Sequence, residues 1–442
     1  MTAPLPEHGR PTADVLADLS ALGAQDPDYR HGRLWSLVYW LDEDYDRFLG
    51  QAWQRFSSAN GLNPGAFRSL KRMETQIVAA AAQLHHGDDQ VCGVLTSGGT
   101  ESCLLAAKTW RDHARRTRGV TRPQMVLAPT AHVAWYKACE YFDLEPRLLP
   151  LDADGLADAA QLDALITDQT ALVVASAPNY PNGGIDPIGA LGEVARRRGV
   201  PVHVDACVGG FILPFMAMNG RDLPAWDWRV PGVMSISADL HKYGYAAKGA
   251  SVITYRRLEL MKHQMFVKPQ WEGGMFASPA LLGTRPGGAY AAAWVALHHH
   301  GVDGYRALAR RAIEAFDRLR EGVAAMPELR VIGRPSGPLL AYGARDPALA
   351  IHAVGDRMDA RGWRVNRVQH PDGLHAMVTA QHLDVAERYL DDLKAAVAEV
   401  RADPALVGRG SAATYGLMAG ITDPAMAEAQ MLEMFARAYG KR

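Results

Sequence analysis

The sequence predicts an α/β fold, with a central, mostly parallel β-sheet covered by helices and a smaller α+β domain at the C-terminal end. Short, continuously apolar segments alternate with helical segments from about residue 60 to residue 255. Such segments are typical of parallel strands that are buried on both faces of a sheet. From about residue 301 onward, long helical segments surround further strand candidates, which indicates a second unit.

The predicted elements follow one another in a regular order. Residues up to about 58 show the helical spacing of apolar side chains, and Phe67–Leu84 is predicted to be a long amphipathic helix. The strands predicted for the large sheet are Val91–Leu95, Met125–Ala128, Arg147–Leu149, Ala171–Ser176, Val202–Asp205, Val233–Ser237 and Ser251–Tyr255. The C-terminal part is predicted to contain helices at Tyr305–Ala325 and Val385–Ala402 and strands at Arg330–Gly333, Leu339–Tyr342, Trp363–Asn366 and Ala376–Thr379. We therefore predict an N-terminal helical segment (1–60), a large domain (61–300) and a small C-terminal domain (301–442).

Length and composition are those of an ordinary soluble protein with more than one packed unit. A chain of 442 residues is too long for a single core. A formal net charge of −1 offers no electrostatic attraction for nucleic acid or an anionic membrane. The four cysteines lack metal-ligand spacing and are predicted to be reduced core thiols. Neither a signal-peptide pattern nor a membrane-spanning apolar segment is visible, so we predict a cytoplasmic protein.

A segment rich in small residues, Ser-Gly-Gly-Thr-Glu-Ser at 97–102, follows the first predicted strand and precedes a helix. Small residues let backbone N–H groups approach an anion at the positive end of a helix, so a phosphate fits there. An ordinary strand-to-helix turn explains the same residues. The segment is neither the dinucleotide-binding pattern nor a P-loop.

Two charged residues lie at the ends of later strands. Asp205 ends the strand Val202–Asp205, at the edge where open α/β sheets place ligands, and a carboxylate there can keep a ring nitrogen protonated. A helix-capping aspartate is the simpler alternative, and His203 within the strand is predicted to be a core histidine. Lys242 follows the strand Val233–Ser237 and is flanked by His241 and aromatic residues. Partial desolvation would lower the pKa of such an amine and help it to form a Schiff base, although most lysines are solvated surface residues.

The order of these three signals favours a pyridoxal 5'-phosphate (PLP) site. Such a site needs a phosphate anchor, a carboxylate that strengthens the electron sink, and a lysine that carries the aldehyde. The 97–102 segment, Asp205 and Lys242 supply these parts in sequence.

Longer motifs resemble the group II PLP-dependent decarboxylase family, and within it the sphingosine-1-phosphate lyases. They are Ser-Gly-Gly-Thr-Glu-Ser (97–102), His-Val-Asp-Ala (203–206), Ser-Ala-Asp-Leu-His-Lys-Tyr-Gly-Tyr (237–245), Trp-Glu-Gly-Gly-Met-Phe-Ala-Ser-Pro (271–279), Gly-Thr-Arg-Pro-Gly-Gly (283–288) and Ala-Thr-Tyr-Gly-Leu-Met (413–418). The likeness begins at about residue 30. It implies the fold-type I (aspartate aminotransferase-like) architecture of PLP enzymes, with PLP bound by the large domain, and a homodimer with shared active sites.

The resemblance also implies roles for individual residues. Lys242 would be the Schiff-base lysine, Asp205 the partner of the pyridinium nitrogen, and His132 the residue that stacks on the ring. The phosphate of PLP would be bound by Gly98, Gly99, Thr100 and His241. The 278–284 loop, with Ser278 and Gly283, would reach the cofactor of the partner subunit. Tyr39 and Lys248 match positions near the substrate phosphate, and either could be the general base. The resemblance implies no metal.

Two positions depart from the lyase pattern. Asn63 stands where the family has a histidine that helps to hold the substrate phosphate, and Trp35 stands where the family has a small residue. An asparagine could still donate a hydrogen bond, but it lacks the positive charge that strengthens contact with an anion. Both positions are expected near the substrate, so PLP is a firmer prediction than the substrate.

The predicted activity is a retro-aldol cleavage. A PLP-dependent carbon–carbon lyase would split a phosphorylated β-hydroxy amine, similar to sphingosine 1-phosphate, into an aldehyde and phosphoethanolamine. The departures at Asn63 and Trp35 leave two alternatives open, namely an amino-acid decarboxylase and an aldol-type lyase that acts on a smaller β-hydroxy amine or amino acid. A PLP-binding homologue without turnover is a further alternative that the presence of Lys242 and Asp205 disfavours.

Overall fold

The computed structural model describes residues 5–403, 405–406, 410 and 423–440. The motif at 413–418 lies outside the described residues.

A seven-stranded sheet forms the centre of the larger part of the chain. Its strands are β1 (Cys92–Thr96), β2 (Gln124–Leu127), β3 (Glu145–Leu148), β4 (Thr170–Ser176), β5 (Val202–Asp205), β6 (Val233–Ala238) and β7 (Ser251–Tyr255), in the order β1-β7-β6-β5-β4-β2-β3. Neighbours from β6 to β3 run parallel, whereas β7 is antiparallel to both β1 and β6. The predicted mostly parallel sheet is confirmed.

Both faces of this sheet are buried, which explains the continuously apolar strands. Along β4, Val173 and Ala175 belong to one apolar cluster and Leu172 and Val174 belong to another. Alternate side chains of a strand point to opposite faces, so the two clusters cover the two sides of the sheet. The α-helices of the described residues are α1 (Thr12–Gly23), α2 (Glu43–Arg55), α3 (Arg68–Leu84), α4 (Gly99–Arg118), α5 (Ala134–Phe142), α6 (Leu162–Leu165), α7 (Ile188–Arg197), α8 (Leu213–Met218), α9 (Leu258–Met261), α10 (Gly287–Ala324), α11 (Ile351–Ala360), α12 (Ala386–Ala402) and α13 (Pro424–Tyr439).

A second, antiparallel sheet of four strands lies towards the C-terminal end. It consists of β10 (Leu329–Val331), β11 (Leu339–Ala344), β12 (Asn366–Val368) and β13 (Gly373–Met377), in the order β10-β11-β13-β12. Between the two sheets in sequence lies a hairpin, β8 (Phe266–Lys268) and β9 (Phe276–Ser278), which the sequence analysis missed.

The small sheet shows one clear error in the predicted elements. The predicted strand Trp363–Asn366 begins only at Asn366, because the backbone of Arg364 pairs instead with the N-terminal segment. Arg364 N–H donates to the carbonyl of Arg33 at 2.8 Å, and Trp35 N–H donates to the carbonyl of Arg364 at 3.1 Å. Pairing with a segment about 330 residues away cannot be read from local sequence.

The long helix α10 connects the two parts of the molecule. The predicted helix Tyr305–Ala325 corresponds to the second half of α10. A non-helical residue, Gly301 (φ 55°, ψ −170°), interrupts α10 before that half begins. Residues as far as Ala312 pack into the core of the large sheet, and residues from Ala315 pack into the core beside the small sheet.

The aromatic N-terminal segment also packs into the core beside the small sheet. Trp35 is fully buried there and stacks on His382 with ring centres 4.1 Å apart. The side chain of Trp35 is therefore a core element, and the expectation that it lies near the substrate stays a prediction. Within the described part of the chain, no helix has the length and hydropathy needed to cross a membrane.

Candidate active site

A cavity of about 360 Å³ opens where β4, β5 and β6 end and α4 begins. Ligands bind at this edge in open α/β sheets, and the volume suits a small molecule. Its walls carry Ser97, Gly98, Gly99, Thr100, Glu101, Cys103, His132, Ser176, Pro178, Tyr180, Asp205, Cys207, Val208, Asp239, His241 and Lys242. This one cavity thus contains every residue that the resemblance assigned to the PLP of its own chain, and it does not contain the 278–284 loop.

The Gly-rich turn lies directly before the 20-residue helix α4. A Cβ atom on Gly99 would lie 2.8 Å from Asp239 Oδ2 and 2.9 Å from Cys207 Sγ, so the turn comes closer to the cavity floor than any side chain would allow. Ser102 Oγ lies 2.7 Å from Thr96 Oγ1 and anchors the helix start to β1. The start of α4 lines the cavity, and the first N–H groups of a helix have no carbonyl partner within it, so an anion would be stabilised there.

Glu101 supports this turn from behind. Its carboxylate accepts a hydrogen bond from Ser97 N–H at 2.7 Å and another from Leu281 N–H at 3.0 Å. The first bond closes the turn, and the second ties it to the 278–284 loop of the same chain. One buried carboxylate therefore positions two loops at once.

Asp205 lies on the cavity floor as a buried, hydrogen-bonded carboxylate. It accepts Trp135 Nε1–H at 2.9 Å through Oδ2 and the backbone N–H of Cys207 at 3.1 Å through Oδ1. Burial alone would raise the pKa of this carboxyl, but His132 and the two hydrogen bonds outweigh burial and hold its pKa below the ordinary range. The group is therefore ionised at neutral pH, as a partner for a protonated ring nitrogen must be.

Lys242 lies in the same cavity and forms an ion pair with Asp239, with Nζ 3.1 Å from Oδ2. Burial alone would lower the pKa of this amine, but Asp239 raises it well above the ordinary range. Sequence reasoning expected desolvation to dominate and to lower this pKa. That expectation was wrong because a buried carboxylate three positions earlier outweighs desolvation.

The two histidines near the cavity floor, His132 and His203, differ in whether they line the cavity. His132 lines the cavity, and burial lowers its pKa, so the ring is neutral at pH 7 and free to stack on an aromatic ligand. His203 is fully buried within β5, where its two ring nitrogens lie 2.7 Å from Ser235 Oγ and 3.1 Å from Ser237 Oγ. His203 is thus the core histidine that was predicted.

Tyr39 and Lys248 lie beside Lys242. The Lys248 amine is 5.1 Å from the centre of the Tyr39 ring and donates to the His241 carbonyl at 3.3 Å. Although the side chain of Lys248 is largely exposed, local burial of the amine and the nearby Lys242 lower its pKa to about 8. Burial raises the pKa of Tyr39 far above its ordinary range, so its hydroxyl keeps its proton.

Three of the predicted site residues lie away from this cavity. Ser278 lines a second, largely apolar cavity of about 230 Å³, together with Leu62, Pro64 and Arg285. Asn63 is exposed beside it, and its Oδ1 accepts the N–H groups of Gly65 at 2.9 Å and Ala66 at 3.2 Å. Gly283 is exposed. A single chain does not bring these residues to Lys242.

Sequence reasoning missed several residues of the cavity. Trp135 and Cys103 both contact Asp205, and Asp239 pairs with Lys242. The spacing of Asp239 and Lys242, three positions apart after a strand, was a usable signal, since it places both side chains in one turn. Trp135 and Cys103 lie on separate helices, and only tertiary packing brings them to Asp205.

The comparisons with known proteins agree with this geometry. Residues 67–344 match the family model of the pyridoxal-dependent decarboxylase conserved domain. The sphingosine-1-phosphate lyase of Oryza sativa is 39% identical over 95% of this chain and 79% of that protein, and the lyase of Saccharomyces cerevisiae is 34% identical over 96% and 73%.

The chain belongs to the pyridoxal-dependent decarboxylase family.

A solved structure of this family, the sphingosine-1-phosphate lyase of Burkholderia pseudomallei, superposes with a TM-score of 0.88 at 39% identity and covers 96% of this chain and 98% of that one. The glutamate decarboxylase of Lactobacillus brevis, at 20% identity and a TM-score of 0.79 over 90% of this chain and 95% of that one, shares the fold. The fold is therefore fold-type I, and the protein is a PLP-dependent lyase.

The residues of the cavity fit this cofactor. PLP has a phosphate, a basic ring nitrogen, an aromatic face and an aldehyde. The cavity offers a helix start with a glycine where a Cβ would collide with the floor, an ionised carboxylate, a neutral imidazole and a primary amine. Each chemical feature of the cofactor has a counterpart on the wall.

Proposed function

We propose that this lyase cleaves the carbon–carbon bond of a phosphorylated β-hydroxy amine, similar to sphingosine 1-phosphate, into an aldehyde and phosphoethanolamine. The observation that carries the proposal is a second amine, Lys248, beside Lys242 in the site. The cofactor needs one lysine, and a second cation leaves a binding partner for a substrate phosphate. The lyase relatives, 34% to 40% identical over most of the chain, support the same substrate class.

The residues of the cavity would divide the work as follows. When bound, PLP supplies the electron sink for the bond that breaks. Lys242 would hold the cofactor through its amine and later return a proton to the substrate carbon. Asp205 would keep the ring nitrogen protonated, and His132 would lie against the ring face. Gly98, Gly99, Thr100 and His241 would hold the phosphate of PLP.

The base that accepts the proton of the β-hydroxyl must be able to lose its own proton near neutral pH. Lys248, with a pKa of about 8, meets this requirement better than Tyr39, whose pKa burial raises. A base must be uncharged, however, whereas a phosphate contact needs a cation, so Lys248 cannot serve as both towards one substrate molecule. We therefore assign its ammonium form to the substrate phosphate and Tyr39 as a hydrogen-bond donor, and we leave the general base unassigned.

The residues outside the cavity support a homodimer in which each chain completes the site of the other. The 278–284 loop carries the exposed Leu281 and Leu282, and the neighbouring β8–β9 hairpin exposes Phe266, Trp271 and Met275. Exposed apolar side chains of this number mark an interface more often than a free surface. Asn63 lies beside the same cavity as Ser278, so both would face the partner's site together.

The division into residues 1–60, 61–300 and 301–442 is likewise our proposal. It is supported at its second boundary by Gly301, which interrupts α10. The N-terminal segment is less independent than proposed, since Trp35 and Tyr45 pack into different cores. A cytoplasmic location and a role in sphingolipid metabolism stay predictions.

Product analysis tests the proposed reaction. Purified enzyme with PLP is incubated with sphingosine 1-phosphate, with unphosphorylated sphingosine and with a panel of amino acids. We expect a long-chain aldehyde and phosphoethanolamine from the first substrate. Carbon dioxide from an amino acid would instead establish a decarboxylase, and an aldehyde from a small β-hydroxy amino acid would establish an aldolase-type lyase.

A further inference from the structure

Asp239 is a buried carboxylate of the cavity to which the resemblance assigned no role. Its side chain is 1% exposed, and its Oδ2 lies 3.1 Å from Lys242 Nζ and 3.5 Å from His241 Nε2. It follows β6 directly, and its neighbour across the cavity floor is Gly99. Removing one partner from a buried ion pair is costly, so this carboxylate and the Lys242 amine are strongly coupled.

We propose that Asp239 is a positioning residue. When Lys242 carries no cofactor, Asp239 holds its side chain as an ion-paired ammonium ion and thereby controls how readily the amine captures and releases the cofactor aldehyde. The proposal rests on the assignment of Lys242 as the cofactor-binding lysine. A protonated amine has no lone pair with which to attack a carbonyl carbon, so the ammonium ion must first give its proton to Asp239 or to water. The carbon–nitrogen double bond would then form as the aldehyde oxygen leaves as water. Whenever the cofactor leaves the amine, Lys242 would again form the ion pair with Asp239, in which Nζ lies 3.1 Å from Oδ2.

The other groups around the amine do not replace Asp239 in this role. The titratable groups that face it are Asp239, Asp205, Cys103, Cys207, Tyr39, His132 and Lys248. Burial keeps the Cys103 thiol and the Tyr39 phenol uncharged, and the hydrogen bond with Cys103, together with burial, does the same for the Cys207 thiol. Lys248 opposes a second positive charge. Asp205 is ionised but already accepts two hydrogen bonds from other groups. Asp239 is therefore the group that offsets the desolvation of the ammonium ion.

The first arm of the test measures the amine itself, without the cofactor. Cofactor-free enzyme is labelled briefly with acetic anhydride over a range of pH, and acetylation of Lys242 is quantified by mass spectrometry. In wild type we expect acetylation at pH 8 to be slower than that of an exposed lysine. In Asp239→Asn it should rise about tenfold or more, because each unit by which an amine pKa falls gives ten times more free amine.

Asp205→Asn is the matched control, since it removes a carboxylate from the same cavity that does not pair with the amine. Its Lys242 should be labelled at nearly the wild-type rate. Equal labelling in wild type and Asp239→Asn would overturn the proposal. If Asp239→Asn does not fold, the wild-type measurement still tests the proposal. Labelling of wild-type Lys242 at pH 8 as fast as that of an exposed lysine would contradict an ion-paired ammonium ion.

The second arm measures cofactor capture. The rate at which cofactor-free enzyme takes up PLP is followed by the visible absorbance of the bound cofactor. We expect Asp239→Asn to capture PLP about tenfold faster than wild type at pH 7. As the pH rises, its capture rate should increase less than that of wild type. If Lys242→Ala gained the same absorbance, the lysine assignment would fail, whereas unchanged capture in Asp239→Asn would remove only the role of Asp239.

Discussion

Two cavities of the described residues, the one that holds Lys242 and the one that Ser278 lines, differ in how completely one chain builds them. The cavity at the ends of β4, β5 and β6 has buried, mutually supporting groups, with Asp205 and Lys242 each paired to a named neighbour. Around the second cavity, Asn63 and Gly283 are exposed, and Asn63 serves its own turn. One chain therefore builds the cofactor cavity, whereas Asn63 and Gly283 lie outside it and would reach a site only in the proposed dimer.

The largest effect is expected from Lys242→Ala. This change removes the amine that would hold the cofactor and move a proton, so turnover should fall by about 10³-fold or more. Loss of the visible absorbance of the bound cofactor provides a second measurement. Lys248→Ala, which leaves Lys242 in place, should keep that absorbance. A coloured, active Lys242→Ala enzyme would refute the contrast, since the first cavity would then not be the cofactor site.

Asp205→Asn should lower turnover by about 10²- to 10³-fold, because a neutral amide no longer favours a protonated ring nitrogen. The isosteric change keeps the shape of the floor, so the melting temperature should stay close to that of wild type. Steady-state kinetics at saturating PLP checks the rate. Turnover within a factor of three of wild type would show that this carboxylate does not tune the cofactor.

Trp35→Ala separates folding from recognition. The side chain is fully buried in the core beside the small sheet, so its removal should cost about 3–5 kcal/mol in the free energy of unfolding. Urea denaturation measures this loss. At a temperature where the variant is folded, KM should be unchanged, and a large rise in KM with normal stability would place Trp35 back near the substrate.

Lys248→Gln should raise KM for the phosphorylated substrate by about 10- to 100-fold, the value of a lost hydrogen bond to a charged group. In wild type, KM should rise as pH passes through about 8, because the amine has lost its charge above its pKa. Lys248→Arg, which stays charged, should bind the substrate without that pH dependence. A flat pH profile of KM in wild type would contradict the phosphate contact.

The smallest effect is expected at Asn63. Asn63→His should lower KM for a phosphorylated amino alcohol by up to about fivefold, the scale of an exposed ion pair. Asn63→Asp keeps an acceptor for the turn but adds negative charge, so it should raise KM. Identical KM values in both variants would mean that this position does not face the substrate phosphate in the dimer.

Local sequence was sufficient for the strands of the large sheet and for the common edge at which Asp205 and Lys242 lie. Buried parallel strands are continuously apolar, so β5 (Val202–Asp205) and β7 (Ser251–Tyr255) were predicted with their observed bounds. The strand ends then placed Asp205 and Lys242 at one edge, because parallel strands share their C-terminal side.

Tertiary structure alone decided what surrounds these residues. The pairing of Asp205 with Trp135, the burial of Trp35 under the small sheet and the separation of Asn63 from the cavity all depend on contacts between distant segments. The pKa of Lys242 is the clearest case, since the sequence pattern shows a desolvated lysine but not the balance of burial against the charge of Asp239. Periodicity is a local property of the chain, whereas the electrostatic balance at a buried group is set by every element packed around it.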